Sequence, residues 1–110
     1  MDQLRPGERI DDLLVSNLRI IQDASAFCFS MDAVLLAHFA TLRSQDRVVD
    51  LGTGTGVIPL LLTTRKQLEQ IIGIEIQTVV AERAKRSVKL NGLQDLIEII
   101  CGDLRQIERL

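Results

Sequence analysis

Val48-Val49-Asp50-Leu51-Gly52-Thr53-Gly54-Thr55-Gly56 joins a short apolar run, closed by an acid, to three glycines at alternate positions. Residues 57–62, Val-Ile-Pro-Leu-Leu-Leu, continue it as an apolar helix-forming segment. A buried strand, a glycine turn and the start of a helix together bring backbone N–H groups close to a ligand. Glycine suits that turn because a Cβ would oppose both the turn conformation and the approach of a ligand. The stretch therefore predicts an α/β fold with a nucleotide-type pocket. An ordinary tight βα turn would carry the same glycines.

Outward from this stretch the pattern is strand, turn, helix, strand, helix, strand. The predicted strands are residues 47–51, 71–76 and 96–101, and the predicted helices are residues 57–64 and 77–90. Pro59 falls in the first turn of its helix, where a missing N–H is harmless. Asn91-Gly92 stops the second helix. Alternation of continuous apolar strands with helices predicts a Rossmann-like parallel sheet buried on both faces. Before it, the first ten residues read as a loose arm. Leu13-Leu14-Val15 and Leu18-Arg19-Ile20-Ile21 flank Ser16-Asn17 as a predicted hairpin. Ser30 reads as the N-cap of a helix from Met31 to about Leu42, with Val34, Leu35, His38, Phe39 and Leu42 as its core stripe. Residues 1–45 thus form an arm, hairpin and helix ahead of a cofactor-binding half, residues 46–110.

At 110 residues, 46% apolar and one quarter charged, the chain suits one packed domain rather than disorder. A formal charge of −2 gives no global basic field for nucleic acid. Cys28 and Cys101 stand far apart in apolar contexts and read as small buried hydrophobes of a reduced protein, with no disulfide or metal expected. The N-terminus lacks a signal-peptide pattern and no apolar run is long enough to span a membrane, so a cytoplasmic location is expected. His38 reads as a half-buried structural histidine. Arg83, Lys85, Arg86 and Lys89 read as a solvated helix face, with contacts to tRNA phosphates as the competing reading. Arg65-Lys66 reads as a complement to the end of its own helix.

Three features define the ligand. A dinucleotide site usually carries its third glycine three places after the second, a position taken here by Val57. Asp50 would also repel a pyrophosphate, whereas it suits a ligand with a positive amino group. Glu75, about one βαβ step beyond the loop, can accept from two vicinal ribose hydroxyls; solvation at the strand end is the bland alternative. Ile76 beside it can lie against a purine. Gly102-Asp103-Leu104 closes the third strand, where an acid can accept from an exocyclic amine and the following backbone can complete adenine recognition, although Gly-Asp is also ordinary turn chemistry. An amino acid, a ribose and an adenine together describe S-adenosyl-L-methionine.

Residues 48–56, Glu75 and Asp103 resemble the first three motifs of the class I S-adenosylmethionine-dependent methyltransferases. Glu8-Arg9-Ile10-Asp11-Asp12-Leu13, Phe27-Cys28-Phe29-Ser30-Met31-Asp32-Ala33-Val34-Leu35-Leu36 and Arg86-Ser87-Val88-Lys89-Leu90-Asn91 resemble, more narrowly, the bacterial tRNA adenine-N6 methyltransferases. The resemblance runs from about Glu8 onward. It implies that Asp50 faces the methionine amino group and that Gly52, Thr53, Gly54 and Gly56 line the cofactor. It further implies Glu75 and Ile76 at the ribose and adenine, Asp103 and Leu104 at the adenine edge, and Ser30 and Asp32 near the methionine end. Ser30 as a plain helix cap is an equal reading.

That branch carries Asn-Pro-Pro-Tyr after a fourth strand, to hold and align the target amine. This chain has only Pro6 and Pro59 as prolines and has neither Trp nor Tyr. The resemblance therefore implies no catalytic residue within residues 1–110, a fold truncated after the third strand, and a fragment inactive alone. Protein glutamine N5-methylation and a non-catalytic binding module are the alternatives. An unpaired first strand predicts a marginal monomer or a homodimer.

Overall fold

A computed structural model describes residues 4–25, 28–103 and 105. Three strands, β3 (Arg47–Leu51), β4 (Gln70–Glu75) and β5 (Ile97–Cys101), form a parallel sheet in that order, with β4 central. An antiparallel hairpin, β1 (Glu8–Asp12) and β2 (Arg19–Asp23), stands apart from it. Helices α1 (Met31–Phe39), α2 (Val57–Leu62) and α3 (Thr78–Leu90) complete the fold. This is the expected α/β architecture, with boundaries within a few residues of those read from the sequence. Among the described residues no helix is long and apolar enough to cross a membrane.

The period-2 pleat divides each strand between two faces. Ile71, Ile97 and Ile99 are buried and Val48 is partly so; all four pack with Leu60, Leu62, Ala81, Ala84 and Val88 of the helices. Leu18, Ile20 and Ala37 join the same cluster. On the other face Val49 is 51% and Leu51 55% exposed. Ile74, opposite Leu51 on that face, is 2% exposed, so the expected burial on both faces holds at central strand β4 and fails at edge strand β3.

The N-terminal region departs most from its expected form. The arm is a strand from Glu8 onward, paired in register Glu8↔Asp23 to Asp12↔Arg19. Residues 13–18 are the turn rather than strand arms, and Ser16 and Asn17 take φ of 51° and 59° there. Sequence reading missed β1 because Glu-Arg-Ile-Asp-Asp lacks the apolar alternation that marks a strand. In α1 the core side is Ala33, Val34 and Ala37, followed by Ala40 and Leu42 beyond the helix, while Leu35, His38 and Phe39 are exposed. The expected stripe was rotated, since α1 ends at Phe39 and meets α2 through its small residues. Arg65 Nη1 donates to the carbonyls of Ala37 and Ala40, so it caps α1 and not its own helix. Cys28 is half-buried, but Cys101 at the end of edge strand β5 is exposed, against expectation.

Candidate functional site

At the carboxyl end of β3 the chain turns through Gly52, Gly54 and Gly56, with φ of +71°, +54° and +84°. Left-handed backbone at three alternate positions is strained for any residue with a Cβ. A Cβ at Gly52 or Gly54 would meet nothing within 4 Å, so these two positions border open space. Gly56 faces inward, where its Cβ would sit 3.4 Å from Ala84 of α3. The three glycines therefore divide their work: two keep the rim open and one lets two helices approach.

Glu75 is the node of the site. It is 7% exposed and its carboxylate accepts two backbone N–H groups, Gly54 at Oε1 and Gln77 at Oε2, each 3.0 Å. Its carbonyl accepts the Gly102 N–H at 3.0 Å, and the neighbouring Ile74 carbonyl accepts that of Thr53 at 2.9 Å. One residue thus ties together the loops after all three parallel strands. A buried carboxylate is tolerable only when its oxygens are hydrogen-bonded, and these backbone donors meet that need. The solvated alternative for Glu75 does not hold. Each oxygen keeps a further lone pair for a hydroxyl donor.

Asp50 lies half-buried one strand away and accepts the Thr53 hydroxyl at 2.7 Å. Burial pushes its carboxyl above the ordinary range, and the Thr53 hydrogen bond offsets this only in part. Asp50, Gly73 and Ile99 stand opposite one another across the sheet. Gly73 has to be glycine because a Cβ there would lie 2.7 Å from the Thr53 hydroxyl and 2.9 Å from Ile99. A glycine inside an apolar strand often marks such a close approach, a signal that sequence reading passed over.

Asp103 follows β5 and is engaged by Arg105, whose Nη2 lies 2.7 Å from Oδ2 and whose backbone N–H donates to Oδ1 at 2.9 Å. The Arg105 hydrogen bond, with its charge behind it, holds the Asp103 carboxyl below the usual range. Ile76 is 56% exposed beside Glu75. Leu104, the remaining candidate on this side, lies outside the described residues. Ser30 and Asp32 stand instead at the amino end of α1, where the Ser30 hydroxyl accepts the Ala33 N–H at 3.4 Å as a cap. No hydrogen bond joins either to the glycine loop.

A cavity of about 290 Å³ is lined by Gly52, Gly54, Thr55, Glu75, Gln77, Val80 and Arg83. A larger one, about 390 Å³, opens at the other end of the sheet beside Gln70, Lys85, Gln94 and Glu98. The smaller cavity is the better candidate, because it adjoins the converging loops at the carboxyl ends of the strands. Val80, Gln77 and Arg83 were not foreseen in it. Arg83 and Arg86 are 6% and 8% exposed, which overturns the solvated-face reading of their cluster; Lys85 and Lys89 do face outward.

A family model described as a methyltransferase domain matches residues 33–108. A tRNA1(Val) (adenine(37)-N6)-methyltransferase of Bacteroides thetaiotaomicron is 34% identical over 82 residues, covering 74% of this chain and 35% of that protein. Its counterpart in Tolumonas auensis is 29% identical over 90 residues, covering 81% and 38%. The chain thus spans little more than a third of the curated relatives it matches. Two solved structures share its fold. P. horikoshii TYW2 in complex with MeSAdo gives a TM-score of 0.73 at 20% identity, over 91% of this chain and 38% of that one. M. capricolum TrmK in complex with S-adenosyl-homocysteine gives 0.63 at 17% identity, over 76% and 36%.

Proposed function

The chain belongs to the methyltransferase-domain family, and from that premise we propose that it is the S-adenosylmethionine-binding part of a cytoplasmic methyltransferase acting on an adenine N6 of tRNA. The observation that carries the cofactor reading is the convergence of three strand-end loops on Glu75, two on its buried carboxylate and the third on its backbone carbonyl. The names of relatives at 29% and 34% identity support the nucleic-acid substrate.

When bound, S-adenosylmethionine supplies an electrophilic methyl group on a sulfonium. The residues of this chain bind and orient. Gly52 and Gly54 leave room beside the loop for close backbone approach. Glu75 accepts the ribose hydroxyls with the lone pairs its backbone donors leave unused. Asp50, desolvated and held by Thr53, attracts the methionine ammonium, and a cation there offsets the cost of its ionisation. Ile76 offers an apolar surface to the purine, and Asp103 accepts from the adenine amine once Arg105 swings aside. An exposed ion pair of that kind is screened by solvent, so exchanging it is cheap. Leu104 continues the adenine edge, while Ser30 and Asp32 reach the methionine end from α1.

The test uses the longer protein that carries this chain, with labelled S-adenosylmethionine and deproteinised bulk tRNA. Label recovered as N6-methyladenosine is expected; label found only in a protein acceptor contradicts the tRNA substrate. Within the chain itself, Glu75→Ala is expected to weaken S-adenosylhomocysteine binding by ~1–3 kcal/mol, the range for hydrogen bonds involving a charged group. Equal affinity by calorimetry would remove the ribose role.

A further inference from the structure

The hairpin is anchored on α3 by side chains spaced one turn apart. Arg83, Ser87 and Asn91 recur at intervals of four and lie on one helix face. Ser87 Oγ accepts the Ile21 N–H at 2.9 Å. Asn91 grips the backbone of Arg19 from both sides, accepting its N–H at 2.9 Å and donating to its carbonyl at 2.6 Å. At the other end of the stripe stands Glu8, whose side chain is 1% exposed. Its carboxylate accepts from Arg86 Nη1 at 2.7 Å, Arg86 Nη2 at 2.6 Å, Arg83 Nε at 2.9 Å and the Arg5 N–H at 2.7 Å. Asp23 Oδ2 lies 3.5 Å from Arg83 Nη2.

Arg83 is where this clamp meets the candidate site. It lines the 290 Å³ cavity together with Glu75, Gly52 and Gly54. It also lines a second cavity of about 360 Å³, on the hairpin side, with Glu8, Asp23 and Arg86. Arg83 is therefore a wall shared by the two cavities, its guanidinium fixed in direction by two carboxylates of the hairpin. The first turns of α3 complete the same wall with Gln77 and Val80.

We propose that Glu8 is a positioning residue for the cofactor site. By clamping Arg83 it fixes the α3 wall, so that hairpin docking and cofactor binding strengthen one another. The proposal rests on the cofactor reading above. Coupling of two binding events is reciprocal, which gives it two independent readouts.

The first readout is S-adenosylhomocysteine affinity of the wild-type chain, Glu8→Gln, and Arg47→Gln as a surface control. Each is measured calorimetrically at a temperature well below its own melting midpoint, so that only folded protein is titrated. Glu8→Gln is expected to bind roughly fivefold or more weakly, at the lower end of couplings between sites, with Arg47→Gln unchanged. Affinity within twofold of wild type would overturn the proposal, since a merely structural clamp lowers the midpoint and leaves binding by the folded protein intact. The second readout needs no variant and decides the matter if Glu8→Gln does not fold. Amide exchange at Arg19 and Ile21, whose N–H groups report docking on α3 directly, is expected to slow on ligand addition. The Gln45 amide at the far end of the sheet is expected to keep its rate. Unchanged exchange at Arg19 and Ile21 under saturating ligand would overturn the proposal. A wild-type chain that binds no ligand at all instead contradicts the cofactor reading itself.

Discussion

The loops around Glu75 and the clamp around Glu8 are two buried carboxylates solved in opposite ways. Glu75 is met by backbone N–H groups from loops that the fold brings past it in any case. Glu8 is met mainly by two arginine side chains, 75 and 78 positions away in the sequence. The first arrangement leaves acceptor capacity and open space beside it, which a ligand can use. The second fills the carboxylate with charged donors and joins two elements. Burial of a carboxylate thus marks a site only when its partners leave room for another.

The sharpest way to break this contrast is Glu8→Ala. Removal takes from both arginines their buried partner, leaving Arg83 to Asp23 and Arg86 to Glu82, and breaking such pairs costs up to about 3–5 kcal/mol. The expected result in denaturant titration is a loss of that order, mainly through release of the hairpin. A loss under about 1 kcal/mol would show that the cluster is solvated and that the two carboxylates do not differ as described. Gly73→Ala probes the other region through packing. A Cβ in contact with Thr53 and Ile99 is overpacked, at about 1–3 kcal/mol by thermal or chemical unfolding. Because Thr53 also holds Asp50, ligand affinity is expected to fall with it.

Acid separates the two regions by sign. Hydrogen bonding to Arg86 above all pulls the Glu8 carboxyl down to about 2 from its ordinary 4.5. Its stabilisation is full above about 4.5 and is lost as pH falls from there toward about 2. Asp50 runs the other way: burial raises its carboxyl, so its ionised form is disfavoured at neutral pH and acid relieves that cost. Acid unfolding followed by circular dichroism is expected to show a falling limb below pH 4.5 that flattens in Glu8→Gln. An unchanged limb would assign acid lability elsewhere. The smallest effect is expected from Arg105→Ala, which unties Asp103 at the surface. Stability should hardly move, since solvent screens the exposed pair, while affinity for the ligand holds or rises slightly; a marked fall in affinity would give Arg105 a direct role.

What the sequence made legible follows the same division. The glycine loop, Glu75 and Asp103 were readable because strand, turn and helix periodicity place them at strand ends without knowledge of any distant contact. Gly102 and Glu75 do meet, and so do Gly54 and Glu75. The clamp was not readable, since nothing local to Glu8 distinguishes it from the neighbouring acids Asp11 and Asp12. The face of α1 was misread for a related reason: Leu35 and Phe39 look like core residues until the short helix meets α2 through Ala33 and Ala37. Hydrophobicity indicates what can be buried, and the partner decides what is.

The most direct test of the central claim is a chemical-shift titration of the isotope-labelled chain with S-adenosylhomocysteine. The account predicts that the largest amide shifts fall on Gly54, Gln77 and Gly102, the three donors gathered by Glu75, and that residues 94–98 at the larger cavity stay in place. Shifts concentrated on residues 94–98, with Gly54 and Gln77 unmoved, would contradict it.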